Sequence, residues 1–134
     1  MRISYSIRII ASMKNFDTWN ELKKVIEIKE RAPSDVGELW WCDIGLNVGS
    51  EQDGPSPIYE RPVFIAKKFS NETCMIFPIT SQKKFGSYYH SIDSKNTVIL
   101  CQPKLVDFKR MKRLIKKLDR ATTETILEAF KSLL

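Results

Sequence analysis

Gly37-Glu38-Leu39-Trp40-Trp41-Cys42 marks the point where the hydrophobic period of this chain changes. Upstream, Trp19, Leu22, Val25 and Ile26 recur at helical spacing, Thr18 and Glu21 fit a capping box, and Pro33 closes the segment. The spacing predicts one amphipathic helix over 18–31 and a short linker over 32–36. Downstream, β-branched and aromatic residues gather in short runs at 39–42, 62–66, 73–79, 87–90 and 97–101. Loops rich in Gly, Pro, Asn, Asp and Ser separate them; the longest, 45–60, holds three glycines and two prolines. Successive strands with no helix between them argue for an antiparallel sheet closed into a small barrel. At the far end Ile126, Leu127, Phe130, Leu133 and Leu134 form a helical stripe capped by Asp119 or Thr122. That helix is expected to pack on the barrel or on a second subunit. The predicted fold is mainly β with flanking helices: an N-terminal extension over 1–36 and a barrel domain over 37–134.

With 134 residues and 43% hydrophobic content, the chain has material for one modest core. No apolar run approaches 18 residues, so no membrane span is expected, and the opening stretch is too short and interrupted for a signal-peptide core. Cys42, Cys74 and Cys101 are odd in number, far apart and set in apolar runs, which reads as core residues of a cytoplasmic protein. The net charge of +6 is concentrated between Lys104 and Arg120, where eight Lys/Arg face only Asp107 and Asp119. Such a strip suits a polyanion or an acidic protein partner, or is simply a solvated face.

The residues exclude several chemistries. A single histidine, His90, rules out a His-based zinc cluster and paired-histidine acid–base catalysis. No glycine-rich phosphate loop with its lysine is present, and acidic residues do not cluster as a divalent-metal cage requires. Catalysis, if any, is expected to need neither metal nor other cofactor. RNA can be cut in that way, because its own 2′-hydroxyl is the nucleophile; the protein has to align it and neutralise the charge growing on phosphorus. Arg61 is suited to a phosphate, Thr80 and Ser81 at a strand end can hold an oxygen, and Glu51 can orient the arginine or accept a proton. Each also has a structural reading: Arg61 as a strand-start residue, Thr80-Ser81 as a turn, Glu51 as loop solvation.

Five segments in order resemble the MazF/PemK toxin family of endoribonucleases. They are the Gly-acidic-apolar-Trp opening at 37–41, Gly49-Ser50-Glu51-Gln52-Asp53-Gly54, Arg61-Pro62-Val63-Phe64-Ile65, Pro78-Ile79-Thr80-Ser81, and Gln102-Pro103-Lys104-Leu105-Val106-Asp107. The resemblance implies an SH3-like barrel of the CcdB/MazF type with a C-terminal helix, usually homodimeric. It implies metal-independent, sequence-selective cleavage of single-stranded RNA to 2′,3′-cyclic phosphate and 5′-hydroxyl ends. It also implies a cognate antitoxin whose acidic flexible tail fills the RNA groove. Arg61 and Thr80 fall on the family's catalytic arginine and threonine, with Ser81 beside them and Glu51 as the assisting group. Gln52, His90, Gln102, Lys104, Lys109 and Arg110 are the expected RNA contacts, and Tyr88 and Tyr89 alternate faces so that one can stack a base.

Two departures stand out. Six residues, Pro55-Ser56-Pro57-Ile58-Tyr59-Glu60, separate Gly54 from Arg61, where most members have one or two; Arg61 keeps its place only if this insert loops outward, and its prolines and Ile58-Tyr59 suggest an ordered flap over the substrate. Where the PemK branch carries an arginine and an aspartate before its Gln-Pro element, this chain has Ile99 and Cys101. That shifts the expected chemistry onto Arg61 and Thr80. The rival reading is a non-catalytic module on the same fold, binding nucleic acid or poisoning a protein target as the related CcdB toxins do with gyrase.

Overall fold

The computed structural model describes residues 14–55 and 59–134. Helix α1 spans Phe16–Glu27, and its N-cap is Asn15, whose side chain accepts from the Thr18 amide at 3.2 Å. The expected capping box is not made: Thr18 lies inside the first turn and Glu21 pairs with Lys24. Trp19 and Ile26 are buried, but Val25 faces outward. The helix ends at Glu27, well before Pro33; beyond it Arg31 grips Asp107 with two bonds, at 3.0 and 2.8 Å, and draws the chain back to the sheet.

Seven strands follow: β1 Glu38–Asp43, β2 Glu60–Lys68, β3 Thr73–Thr80, β4 Tyr89–Ser91, β5 Thr97–Ile99, β6 Lys104–Asp107 and β7 Met111–Lys117. Every pairing is antiparallel, in the order β4-β5-β3-β2-β1-β7, with β6 also on β3. The free edge of β3 is shared: Thr73–Ile76 pair with β6, and Ile79 and Thr80 with β5. The general class expected from the sequence holds, but the sheet is not closed into a barrel. Among the described residues its path ends at β4 and β7, which do not pair, and β4 and β5 are only three residues each.

Two strands escape the sequence reading. β6 and β7 lie in the basic strip, and every residue of β7 after Met111 is exposed, so no period-2 signal marks it. Its ladder with β1 makes it a strand. A one-turn 3₁₀ helix, Phe108–Arg110, links the two, with Phe108 buried as the pivot.

Alternation sends each inner strand's side chains into two cores. Trp40, Cys42, Val63, Ile65, Cys74, Ile76, Val106 and Phe108 fill the concave face. Leu39, Phe64, Phe77, Ile79 and Val98 fill the other, beneath helix α2, Arg120–Lys131. Asp119 caps α2, accepting from the Thr122 amide at 2.7 Å, and Ile126 and Phe130 press on the sheet, Phe130 lying 4.9 Å from the Phe77 ring. Leu134 points to solvent. Cys42 and Cys74 are core residues as expected, and burial pushes the Cys74 thiol up to about 12. Cys101 is exposed, because the chain turns outward after β5.

Ile126→Ala is expected to lower unfolding stability by about 2–5 kcal/mol, while Leu134→Ala changes it by less than about 0.5 kcal/mol. Urea denaturation of both variants checks the packing of α2.

Candidate active site

The register of β2 on β3 runs from Lys68↔Cys74 to Val63↔Pro78. Arg61 lies two residues beyond Val63 and Thr80 two beyond Pro78, so both continue the concave face where its core opens. They line one hollow of about 290 Å³ together with Gln52, Gln82, Lys84, Tyr89 and Gln102.

Arg61 is half-buried and oriented by backbone. Its Nε donates to the Asp53 carbonyl at 2.7 Å and Nη1 to the Ile79 carbonyl at 3.2 Å. The remaining N–H groups of the guanidinium are available to a ligand. Burial lowers its pKa, partly offset by Asp53, but an arginine remains a cation at neutral pH. A poorly hydrated fixed cation attracts an anion more strongly than a solvated one. Thr80 is buried; its Oγ1 accepts from the Gln82 amide at 3.2 Å, which leaves its own proton to donate.

The 49–54 loop is built from its own polar groups. Asp53 Oδ1 accepts from the Asn47 amide at 2.6 Å, and Asn47 Nδ2 donates to the Gln52 carbonyl. Gln102 clamps it from β6's approach, accepting from the Gln52 amide at 2.7 Å and donating to the Ser50 carbonyl. The insert leaves and returns at one point. Gly54 donates to the Gly45 carbonyl, Gly45 to the Tyr59 carbonyl, and Tyr59 to the Pro55 carbonyl. A Cβ on Gly54 would lie 1.8 Å from the Tyr59 oxygen, so only glycine closes this neck. Arg61 therefore keeps its place despite the extra residues. Ser56, Pro57 and Ile58 lie outside the described residues. Tyr59, expected in a flap, is instead buried against Trp19 of α1, with centroids 6.0 Å apart.

The other expected site residues are dispersed. Glu51 is exposed and its Oε1 accepts from the Val48 amide at 2.8 Å; it lines a neighbouring hollow of about 480 Å³ with Lys104 rather than Arg61's. Gln52 and Gln102 border both hollows, which therefore lie side by side. Lys104 donates to Asn47 Oδ1 at 3.0 Å, and burial, then Arg110, lowers its pKa. Ser81 lies in a third hollow of about 550 Å³ with Trp41, Pro62 and Ile115, which Arg61 and Thr80 also border. His90, on β4, borders none of these, whereas Tyr89 lines Arg61's hollow and Tyr88 is exposed.

The basic strip is largely committed within the fold. Lys109 donates to the Glu27 carbonyl and Arg110 to the Asp43 carbonyl, fastening α1 and β1, and neither borders these three hollows. Lys112 and Arg113 hold Glu60, Lys116 meets Asp93, Lys117 meets Asp35 and Arg120 meets Glu124.

Sequence reasoning did not single out Gln82 and Lys84, which only the turn after β3 brings to the site, nor the acidic pair behind Arg61. Asp43 and Glu60 stand opposite each other on β1 and β2, both buried. Burial raises the Asp43 carboxyl, against Lys112 and Lys29. Burial also presses Glu60 upward, but bonds from Arg113 and Lys112 outweigh it and hold its carboxyl below the usual 4.5.

An antiparallel sheet thus carries a half-buried arginine and a hydroxyl on one hollow, groups of a kind that can receive an anion. Residues 35–134 match the model of the PemK-like, MazF-like toxins of type II toxin–antitoxin systems, and the chain belongs to this family. No curated protein matches the sequence. Among solved structures, MazF from Deinococcus radiodurans has 17% identity and a TM-score of 0.58 over 78% of this chain and 97% of that one. A mycobacterial endoribonuclease in complex with its cognate antitoxin has 13% identity and a TM-score of 0.57 over 75% and 93%. A MazE–MazF structure from D. radiodurans has 14% identity and a TM-score of 0.55 over 75% and 94%. These likenesses establish the fold.

Because Glu60's folded pKa is depressed, its stabilisation is present above the usual carboxylate pKa and lost as pH falls through the lower folded value. Glu60→Gln is therefore expected to destabilise by about 1.5–3 kcal/mol at pH 7, with the deficit shrinking steadily as pH falls below the usual 4.5. Urea titrations from pH 7 to pH 3 measure it, and a deficit independent of pH contradicts the assignment.

Proposed function

We propose that this chain is the toxin of a type II pair and a sequence-selective endoribonuclease that cuts single-stranded RNA by attack of the 2′-hydroxyl on the adjacent phosphate. The products are a 2′,3′-cyclic phosphate and a 5′-hydroxyl. The observation that carries this is the shared hollow of Arg61 and Thr80, one with spare charged N–H groups and the other with a spare hydroxyl proton; in this reading it and the neighbouring hollow form a trough for a strand. In this reading Arg61 neutralises the phosphorane charge and Thr80 holds a phosphate oxygen. Lys84 draws the backbone in, Tyr89 offers a stacking face, and Gln52 and Gln102 read base edges along the trough. Glu51 stands one hollow away, where a nucleotide next to the scissile phosphate can meet it; Ser81 serves the leaving strand.

The reaction needs no metal in this reading, since the 2′-hydroxyl supplies the nucleophile and Arg61 the charge. Among the described residues no group of three or more His, Cys, Asp or Glu is arranged to hold one. In this reading a cognate antitoxin with an acidic tail would occupy the same trough; one structural relative is an endoribonuclease in complex with its cognate antitoxin. The reading also makes the active species a cytoplasmic homodimer. No described helix is long and apolar enough to cross a membrane.

Purified protein incubated with varied single-stranded RNAs in chelator is expected to cut them, with end-mapping showing cyclic phosphates. Arg61→Ala should lower kcat by roughly 10²–10³ and Thr80→Val by about tenfold or more. RNA left whole by the native chain across all sequences defeats the ribonuclease reading; RNA binding that survives Arg61→Ala without cleavage by either form replaces it with a binding module.

A further inference from the structure

The segment ahead of the family-matched region reaches the site loop directly. Lys14 Nζ lies 2.7 Å from Asp53 Oδ2 and donates to the carbonyls of Asn47 at 2.6 Å and Gly49 at 3.3 Å. It thereby ties together both sides of the loop whose Asp53 carbonyl orients Arg61. Trp19 lies buried on Gly45, so close that a Cβ there would be 1.9 Å from the indole. Gly45 is the residue that bonds both Gly54 and Tyr59 across the neck of the insert. The same indole meets Tyr59 on one side and the Arg110 guanidinium at 5.7 Å. Tyr59 itself holds φ of 57°, which a non-glycine residue keeps only where its surroundings restrain it. The segment ahead of the matched region thus meets Tyr59 at the return of the six-residue insert.

We propose that Lys14 and Trp19 are positioning residues: docking of the N-terminal segment on Asp53, Gly45 and Tyr59 locks the 45–54 loop in the conformation that aims Arg61 into its hollow. The toxin then carries in its own N-terminal segment a part that its site requires. This rests on Arg61 acting as proposed above, and its test is separable from that reading. Neither residue borders the hollow, so their effect on turnover runs through the loop.

The test uses the full chain and three variants, Lys14→Met, Lys14→Arg and Trp19→Ala. Protection of the Arg61 Nε proton from solvent exchange is read by NMR, its signal assigned by loss in Arg61→Lys. In Lys14→Met and Trp19→Ala that proton should exchange at least about tenfold faster, and kcat on RNA should fall about tenfold with KM nearly unchanged. For Lys14→Met the melting temperature should stay at the native value, and Lys14→Arg should restore both readouts. An Arg61 proton as protected in Lys14→Met as in the native chain overturns the proposal. So does a loss that Lys14→Arg does not reverse. Should the native chain cut no RNA, the ribonuclease reading fails alone, because Arg61 protection still decides the positioning role.

Discussion

The β2–β3 ladder is buried on both faces, and the rest of the molecule is arranged around that constraint. Val63, Ile65, Cys74 and Ile76 turn into the concave core; Phe64 and Phe77, whose rings stack 6.0 Å apart, turn toward α2. Each large side chain contributes about 1.5–3 kcal/mol by leaving water, and a one-residue slip would exchange the two sets. Register is therefore strongly held. Because it is held, the residues that continue the ladder past its apolar part, Arg61 and Thr80, are brought together without any bond between them.

Loop chemistry completes what the ladder begins. Arg61 loses hydration at the end of the core and receives two backbone carbonyls in exchange. Those acceptors orient it without neutralising it, which a paired carboxylate would do. The nearby acids are occupied elsewhere: Glu60 by Lys112 and Arg113, Asp53 by Lys14 and the Asn47 amide, Glu51 by the Val48 amide. The site thus keeps a net positive hollow in a region rich in carboxylates. Two cations of the basic strip contribute to this, since Lys112 and Arg113 hold Glu60 in place.

Much of the architecture was legible in residue pattern. The strands at 39–42, 62–66 and 73–79 carry apolar side chains on both faces or β-branched and aromatic residues, and Asp119 and the Ile126–Phe130 stripe mark the last helix. Ordered motifs placed Arg61, Thr80, Gln52 and Gln102, and those four do share a hollow. β7 was not legible, because a strand wet on both faces has no period and exists only through its partner β1. The partners of Lys109 and Arg110 were not legible for a related reason: a cation's partner on a distant element leaves no trace in local sequence.

By itself, then, the sequence determined the inner strands and the two helices, and the placing of Arg61 and Thr80 at the end of one ladder, because alternation and helical period are local properties. That the sheet stays open, the separation of Glu51 from Arg61, and the burial of Tyr59 were decided only by tertiary structure. Gly54 against the Tyr59 carbonyl, Trp19 on Gly45 and Lys14 on Asp53 join residues far apart in the chain. Whether such contacts form depends on how whole strands and helices meet, and no local period encodes that.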